Sequence, residues 1–377
     1  MKKLMSLALA MLLLLTMCFL VACDSNNDPN PTIPNPGPST EDPEEPEDPE
    51  EPEEPWVDDG WVSAIFGSKP FVTGGTIGID KVSEKMKNSG FNTMIIWSVH
   101  IESNGTILVE HVKVCENGQL IDGDVEVKVT KEDDRTVKMQ DIYDYWAGLK
   151  KGKTSIHRVE ISIGAWEVPD FDNIQKCLRQ VDGYPNVEMS QLKDTVLYKN
   201  LKALIEVTGA DAVNFDDETC YDITSATIFG RMCDDMGVKV ALCPFALPKY
   251  SFWTKVRENL GDIVDRVYVQ CYDGGKANYD PEVLQFWAEK MNMKIIPGYF
   301  CRTDDSKNSE GYCTAKTVAK NLTDNLDIVT GGFMWIFNEM NNYPSPNSVN
   351  DYANAINGVN PNAQTAETFF RNLSNLN

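Results

Sequence analysis

Apolar residues gather in eight short runs, each followed by a polar stretch with helical spacing. The runs are WVSAIFG from Trp61, FNTMIIWSV from Phe91, VEISIGA from Val159, DAVNFDD from Asp211, VKVALCPF from Val238, VDRVYVQCY from Val264, MKIIPGYF from Met293 and GGFMWIFN from Gly331. They are strand-length, rich in β-branched and aromatic residues, and apolar at nearly every position, the pattern of strands covered on both faces. Between them the periodicity predicts helices over 82–88, 194–208, 225–236, 250–259, 281–291 and 315–326. Strand and helix alternating eight times in one domain predict an α/β fold, a closed parallel (β/α)8 TIM barrel. An open doubly wound sheet is the alternative, but no Gly-rich phosphate loop follows the first strand.

The alternation breaks once. After the second strand, the segment 102–135 contains ESNGTILVEHVKVCENGQLIDGDVEVKV, whose Asn104-Gly105 and Asn117-Gly118 pairs predict a hairpin-like insertion. It is expected on the C-terminal face of the barrel, where it would shape a cleft.

The N-terminal end follows another pattern. Residues 1–22 carry Lys2 and Lys3, then an apolar run that ends in small residues, as in a secretory signal too short to span a bilayer. Leu20-Val21-Ala22-Cys23 resembles the lipobox of bacterial lipoproteins, which implies lipidation at Cys23 and a tether to membrane without a span. The Pro-rich stretch that follows, with its EEPEDPEEPEEP repeat, is expected to stay extended and solvated. The organisation expected is therefore a signal peptide over 1–22, a lipidated Cys and acidic tether over 23–57, and the barrel over 58–377. The expected location is the bacterial cell envelope, lipid-anchored, on the periplasmic side or the cell surface.

The tether also colours the composition. The formal net charge is -23, and residues 41–59 hold twelve Asp or Glu with no Lys or Arg, so that run supplies about half of the charge. No basic patch points to nucleic acid, and a monomer is expected. Of the ten Cys, the eight beyond Cys23 form no C-x-x-C pair or regular framework. A domain of this size needs no disulfide staple, and Cys301 and Cys313, which share one loop, are the two that could pair. His100, His111 and His157 have no metal-ligand spacing, so no metal or cofactor is expected, and core or surface roles are the reading for them.

The stretch GADAVNFDDETCYD, from Gly209, crowds Asp216, Asp217 and Glu218 at the end of the fourth run. Like charges this close raise one another's pKa and cost stability unless a reaction or ligand uses them. Alternate residues of a strand share a face, so Asn214, Asp216 and Glu218 form one column pointing into the barrel mouth, where barrel enzymes keep their chemistry. Asp217 faces the other way, and a capping role suffices for it.

Asp211-x-x-Asn214-x-Asp216-x-Glu218 resembles the D-x-x-D-x-D-x-E signature of glycoside hydrolase family 18, the chitinases and endo-β-N-acetylglucosaminidases. It departs at Asn214, where the family has Asp. Further landmarks occur in barrel order: Ser162-Ile163-Gly164 on the third strand, Gln270-Cys271-Tyr272-Asp273 on the sixth, and Gly331-Gly332-Phe333-Met334-Trp335 on the eighth. The resemblance implies a retaining, substrate-assisted mechanism with one obligatory protein acid, an exception to the usual two-carboxylate scheme. Glu218 would be the general acid and then the base. Asp216 would orient the 2-acetamido group, Tyr272 would donate to its oxygen, and Trp335 would floor the sugar. Gln270, Asp273, Asn214 and Trp97 are the further candidate substrate contacts, Asn214 being also able to hydrogen-bond Asp216. Ser162 and Gly164 read as packing residues.

Trp97, Trp166 and Tyr299 lie at predicted strand ends, where flat rings either extend a sugar platform or belong to the core. The function expected is cleavage of β-1,4 linkages at N-acetylglucosamine residues in an oligo- or polysaccharide. The alternative is a non-catalytic, lipid-anchored glycan-binding protein on the same fold. A protein-binding pseudoenzyme would follow if the 102–135 insertion closed the cleft.

Overall fold

The computed structural model describes residues 58–67, 79–128, 134–304 and 310–363. The chain divides into a unit over 1–56 and a unit over 57–377. The signal, Cys23 and the tether lie outside the described residues.

Eight parallel strands close into a barrel. In chain order they are Val62–Gly67, Thr93–Ile101, Arg158–Ile163, Ala212–Phe215, Lys239–Leu242, Val264–Gln270, Ile296–Cys301 and Gly331–Trp335. Each pairs in parallel with its neighbour, and the first strand pairs with both the second and the eighth, through Ala64↔Thr93 and Val62↔Gly331, so the sheet has no free barrel edge. The near-continuous apolar runs follow from this closure, because one face packs into the barrel and the other under the helices.

The interior is filled by Ala64, Phe66, Ile95, Tyr268, Ile296 and Phe333, all buried. Gly298 makes room for Phe333, whose ring occupies the space that a Cβ there would fill. Lower in the barrel the filling is ionic. Glu160, wholly buried on the third strand, accepts from Arg158 at 2.8 Å and from the Tyr268 hydroxyl at 2.9 Å, and Arg158 also holds Asp265 at 2.6 Å. A buried carboxylate is tolerated only with partners of this kind.

The helices start and stop on local signals. Thr195 caps Val196–Thr208 by accepting from Tyr198 N, and Gly209 ends it in the left-handed region at φ 61°. Asp222 caps Ile223–Asp235 through Ser225 N, which starts a helix directly behind the carboxylate motif. Among the described residues no helix is long and apolar enough to cross a membrane.

The predicted hairpin-like insertion is an antiparallel meander followed by a separate hairpin. The second strand outruns the barrel, and Ile107–Val109 pairs antiparallel with its last residues through Val99↔Val109 and Ile101↔Ile107. The strands Val112–Glu116 and Gln119–Leu120 continue that meander, and Asp124–Lys128 pairs separately with Asp134–Lys138. The strands Val112–Glu116 and Gln119–Leu120 lie against the helix Val196–Thr208, and Asp134–Lys138 lies against the helix Met139–Gly148. Asn200 stitches the meander to the helix Val196–Thr208, donating to Gly105 O at 2.6 Å and accepting from Gly118 N at 2.7 Å. Among the described residues of the insertion, Glu110 and His111 line the cleft.

Cys301 and Cys313 are register partners on neighbouring strands and both are free thiols, so the pairing that their sequence position left open is not formed.

Candidate active site

The fourth strand ends at Phe215, and the chain then carries Asp216 over the rim. Asp216 N donates to Ile163 O at 2.9 Å, which fixes its backbone to the third strand. Gly164 sits against this point at φ 104°, and a methyl group there would collide with the Asp216 carbonyl. The Ser162-x-Gly164 landmark is thus the seat of Asp216. Asp217 turns outward and accepts the backbone N–H groups of Thr219, Cys220 and Tyr221 at 3.1, 2.9 and 2.8 Å, shaping the loop that presents Glu218.

Asp216 and Glu218 open on a cavity of about 650 Å³, walled also by Gln270, Tyr272, Trp335 and Trp97. Gln270 Nε2 donates to Asp216 Oδ1 at 2.8 Å and to Glu218 Oε1 at 3.3 Å. Burial, then the Glu218 charge, pushes the Asp216 carboxyl far above the usual carboxylate range. Burial lifts Glu218 to about 6, against the pull of the Gln270 and Asp216 hydrogen bonds. The two side chains are hydrogen-bonded to each other, so they titrate as one pair. Burial also keeps the Tyr272 phenol protonated, so it is available only as a neutral donor and acceptor.

Aromatic rings make the apolar surface. Trp335 is half-buried, packs edge-on against Trp97 with centroids 4.5 Å apart, and lies 5.9 Å from Tyr272 at an interplanar angle of 31°. Phe66 supports it from the barrel interior at 5.4 Å. Trp166, 64% exposed, stands at the rim with its ring edge-on to Phe245. Asp273 lines the cavity and accepts from the Tyr312 hydroxyl.

Asn214 is not a wall residue. It is completely buried, accepts from the Ser162 hydroxyl at 3.2 Å and donates to Glu160 Oε2 at 3.4 Å, and none of its hydrogen bonds goes to Asp216. The expected sugar contact at Asn214 is therefore corrected to a link between the ionic interior and the strand end. Tyr299, 1% exposed, belongs to the core and does not extend the platform. Sequence reasoning missed His100 and His111, which were read as core or surface residues but line the cavity with Ser98 and Glu110. Their signal was weak, because His111 arrives on the inserted turn and not on a barrel strand. Among the described residues no group of His, Cys, Asp and Glu is placed to hold a metal ion.

Fold and site together define a (β/α)8 barrel with a hydrogen-bonded acid pair at its C-terminal mouth. No protein-family profile and no curated protein match the chain. Among solved structures, it is similar to a fungal endo-β-N-acetylglucosaminidase from glycosyl hydrolase family 18, with 12% identity, a TM-score of 0.51, and coverage of 78% of this chain and 98% of that one. It is also similar to a group IV chitinase of Ostrinia furnacalis solved with allosamidin, with 9% identity, a TM-score of 0.51, and coverage of 79% and 98%. At these identities the likeness establishes the barrel fold.

Proposed function

We propose that this protein is a glycoside hydrolase that cleaves β-1,4 linkages at N-acetylglucosamine residues with retention, using the substrate's own acetamido group. The observation that carries the reading is the Asp216–Glu218 pair, spanned by Gln270 and facing an aromatic-floored cavity. The fold shared with the endo-β-N-acetylglucosaminidase and the allosamidin-bound chitinase supports the same choice of sugar.

Glu218 has a pKa near 6 and is protonated in a useful fraction near neutrality, as a general acid must be. When an acetamido N–H comes to hydrogen-bond Asp216, the pair's proton is favoured on Glu218, which passes it to the glycosidic oxygen. Asp216, now a carboxylate, faces the positive charge that develops on the acetamido-derived ring. Tyr272 donates to the acetamido oxygen, and Trp335 meets the apolar face of the sugar. Glu218 then takes a proton from the incoming water.

Incubating the chain with chitooligosaccharides and with a high-mannose N-glycoprotein, beside a Glu218→Gln control, tests this. Cleavage lost in the control supports the enzyme. Binding without cleavage by the unaltered protein leaves the glycan-binding alternative. The sequence also supports a lipid anchor at Cys23 that holds the barrel at the bacterial envelope. Metabolic labelling with a fatty acid, lost in Cys23→Ala, checks it.

A further inference from the structure

The cavity wall at the second barrel strand carries another hydrogen-bonded array. Ser98 Oγ lies 2.7 Å from His100 Nε2, and His100 Nδ1 lies 3.0 Å from Asp170 Oδ2. Ser98 and His100 are two residues apart on the strand Thr93–Ile101 and share one face, while Asp170 opens the helix Asp170–Arg179. Asp170 is 1% exposed, and its other oxygen accepts from Ile101 N at 2.8 Å, so the carboxylate cannot swing away. His111 stacks on His100 with ring centroids 5.9 Å apart and holds the imidazole plane.

With its proton on Nδ1 and donated to Asp170, His100 offers a basic Nε2 to the Ser98 hydroxyl. A nucleophile within reach of a base, and that base oriented by a buried acid, is the arrangement that activates serine. Ser98 and His100 line the same cavity as Glu218 and Trp335. The indole N–H of Trp97, next in sequence to Ser98, is buried without a hydrogen-bond partner among the described residues.

We propose that Ser98, His100 and Asp170 form a second reaction centre, a serine esterase that removes O-acyl groups from sugars held in the cavity. The choice of sugar rests on the glycan reading above. The ester follows from the chemistry, since an acyl group on a sugar hydroxyl is the electrophile that a glycan can bring to a serine. Ser98 Oγ bonds to the acyl carbon as its proton passes to His100 Nε2. The ester C–O bond breaks, and the sugar oxygen leaves with that proton. Water, deprotonated by His100, then attacks the acyl carbon, and a carboxylic acid departs as Ser98 regains its hydrogen. Ester and water become alcohol and acid, with no further reactant.

The test uses the whole chain. A fluorophosphonate probe, with peptide mapping, is expected to modify Ser98 in the unaltered protein, to react at least about tenfold more slowly with His100→Gln, and to leave Ser98→Ala unmodified at this site. Release of acetate from an O-acetylated chitooligosaccharide is expected to fall in the same order. A Ser98 that stays unlabelled in the unaltered protein, or acetate release that survives Ser98→Ala, overturns the proposal and leaves the array a mere brace of the strand end. Labelling is read without glycan, so its outcome is separate from whether Glu218 cleaves glycosidic bonds.

Discussion

One nitrogen spans the two carboxylates of the mouth: Gln270 Nε2 donates to Asp216 at 2.8 Å and to Glu218 at 3.3 Å. A donor of this kind stabilises the ionised form and holds Glu218 down, against the burial that raises it to about 6. Replacing Gln270 with Leu removes that pull. The high-pH limb of kcat/KM, set by loss of the Glu218 proton, is then expected to move to higher pH. A pH–rate profile whose limb stays in place would show that the amide does not govern the acid.

Glu218 is also a stability switch. Its folded pKa of about 6 lies above the ordinary 4.5, so its favourable contribution is complete below 4.5 and is lost as pH rises through 6. Glu218→Gln, always neutral, is expected to stabilise the fold at pH 7.5 by about 1–2 kcal/mol, allowing for partial exposure. That corresponds to roughly 2–4 °C in Tm, with the gap closing near pH 4.5. The same variant is expected to lose about 10²–10⁴-fold in kcat. Thermal melts at the two pH values and a glycan-cleavage assay measure both effects.

Asn214 replaces the carboxylate of the D-x-x-D-x-D-x-E pattern, and the structure gives a reason for the amide. Its Nδ2 lies 3.4 Å from the buried Glu160 carboxylate, where a second negative charge would be repelled. Asn214→Asp is expected to cost about 2–4 kcal/mol at pH 7 and less at pH 4.5. Glu160→Gln in the same chain should return part of that loss. Denaturant titrations that find Asn214→Asp as stable as the parent would remove this explanation.

Gly164→Ala tests the seat of Asp216. The added methyl meets the Asp216 carbonyl, and alanine disfavours φ 104°. A stability loss of roughly 2–4 kcal/mol is expected. Cleavage should fall more than tenfold as the carboxylate is displaced, while Ala at Gly152, where a Cβ meets nothing within 4 Å, serves as the control for left-handed strain alone.

The barrel was legible because strands buried on both faces leave continuous apolar runs, and several helices between them, Val196–Thr208, Ile223–Asp235, Pro281–Met291 and Ala315–Asp324, start at a side-chain cap. The column of Asp216 and Glu218 was legible for a similar local reason, the two-residue repeat of a strand. What sequence pattern did not reveal lies in contacts across the barrel. Glu160 is hidden inside the apolar run VEISIGA, and its partners Arg266 and Tyr268 come from a strand more than a hundred residues later. Ser98 and His100 are likewise joined to Asp170 only in space. Asn117-Gly118 announced a turn, but its docking on Asn200 depends on tertiary contact that no local signal carries.

The inserted hairpin separates two properties that a barrel enzyme usually builds into one set of loops. Glu110 and His111 wall the cavity, yet their segment is anchored on the overhang of the second strand and on an outer helix, away from the seat of the proton donor. Exchanging that short turn would alter which ligands are admitted while leaving the acid's own surroundings as they are. Ligand preference can therefore change without touching the groups around Glu218, like a changeable bit on a fixed handle.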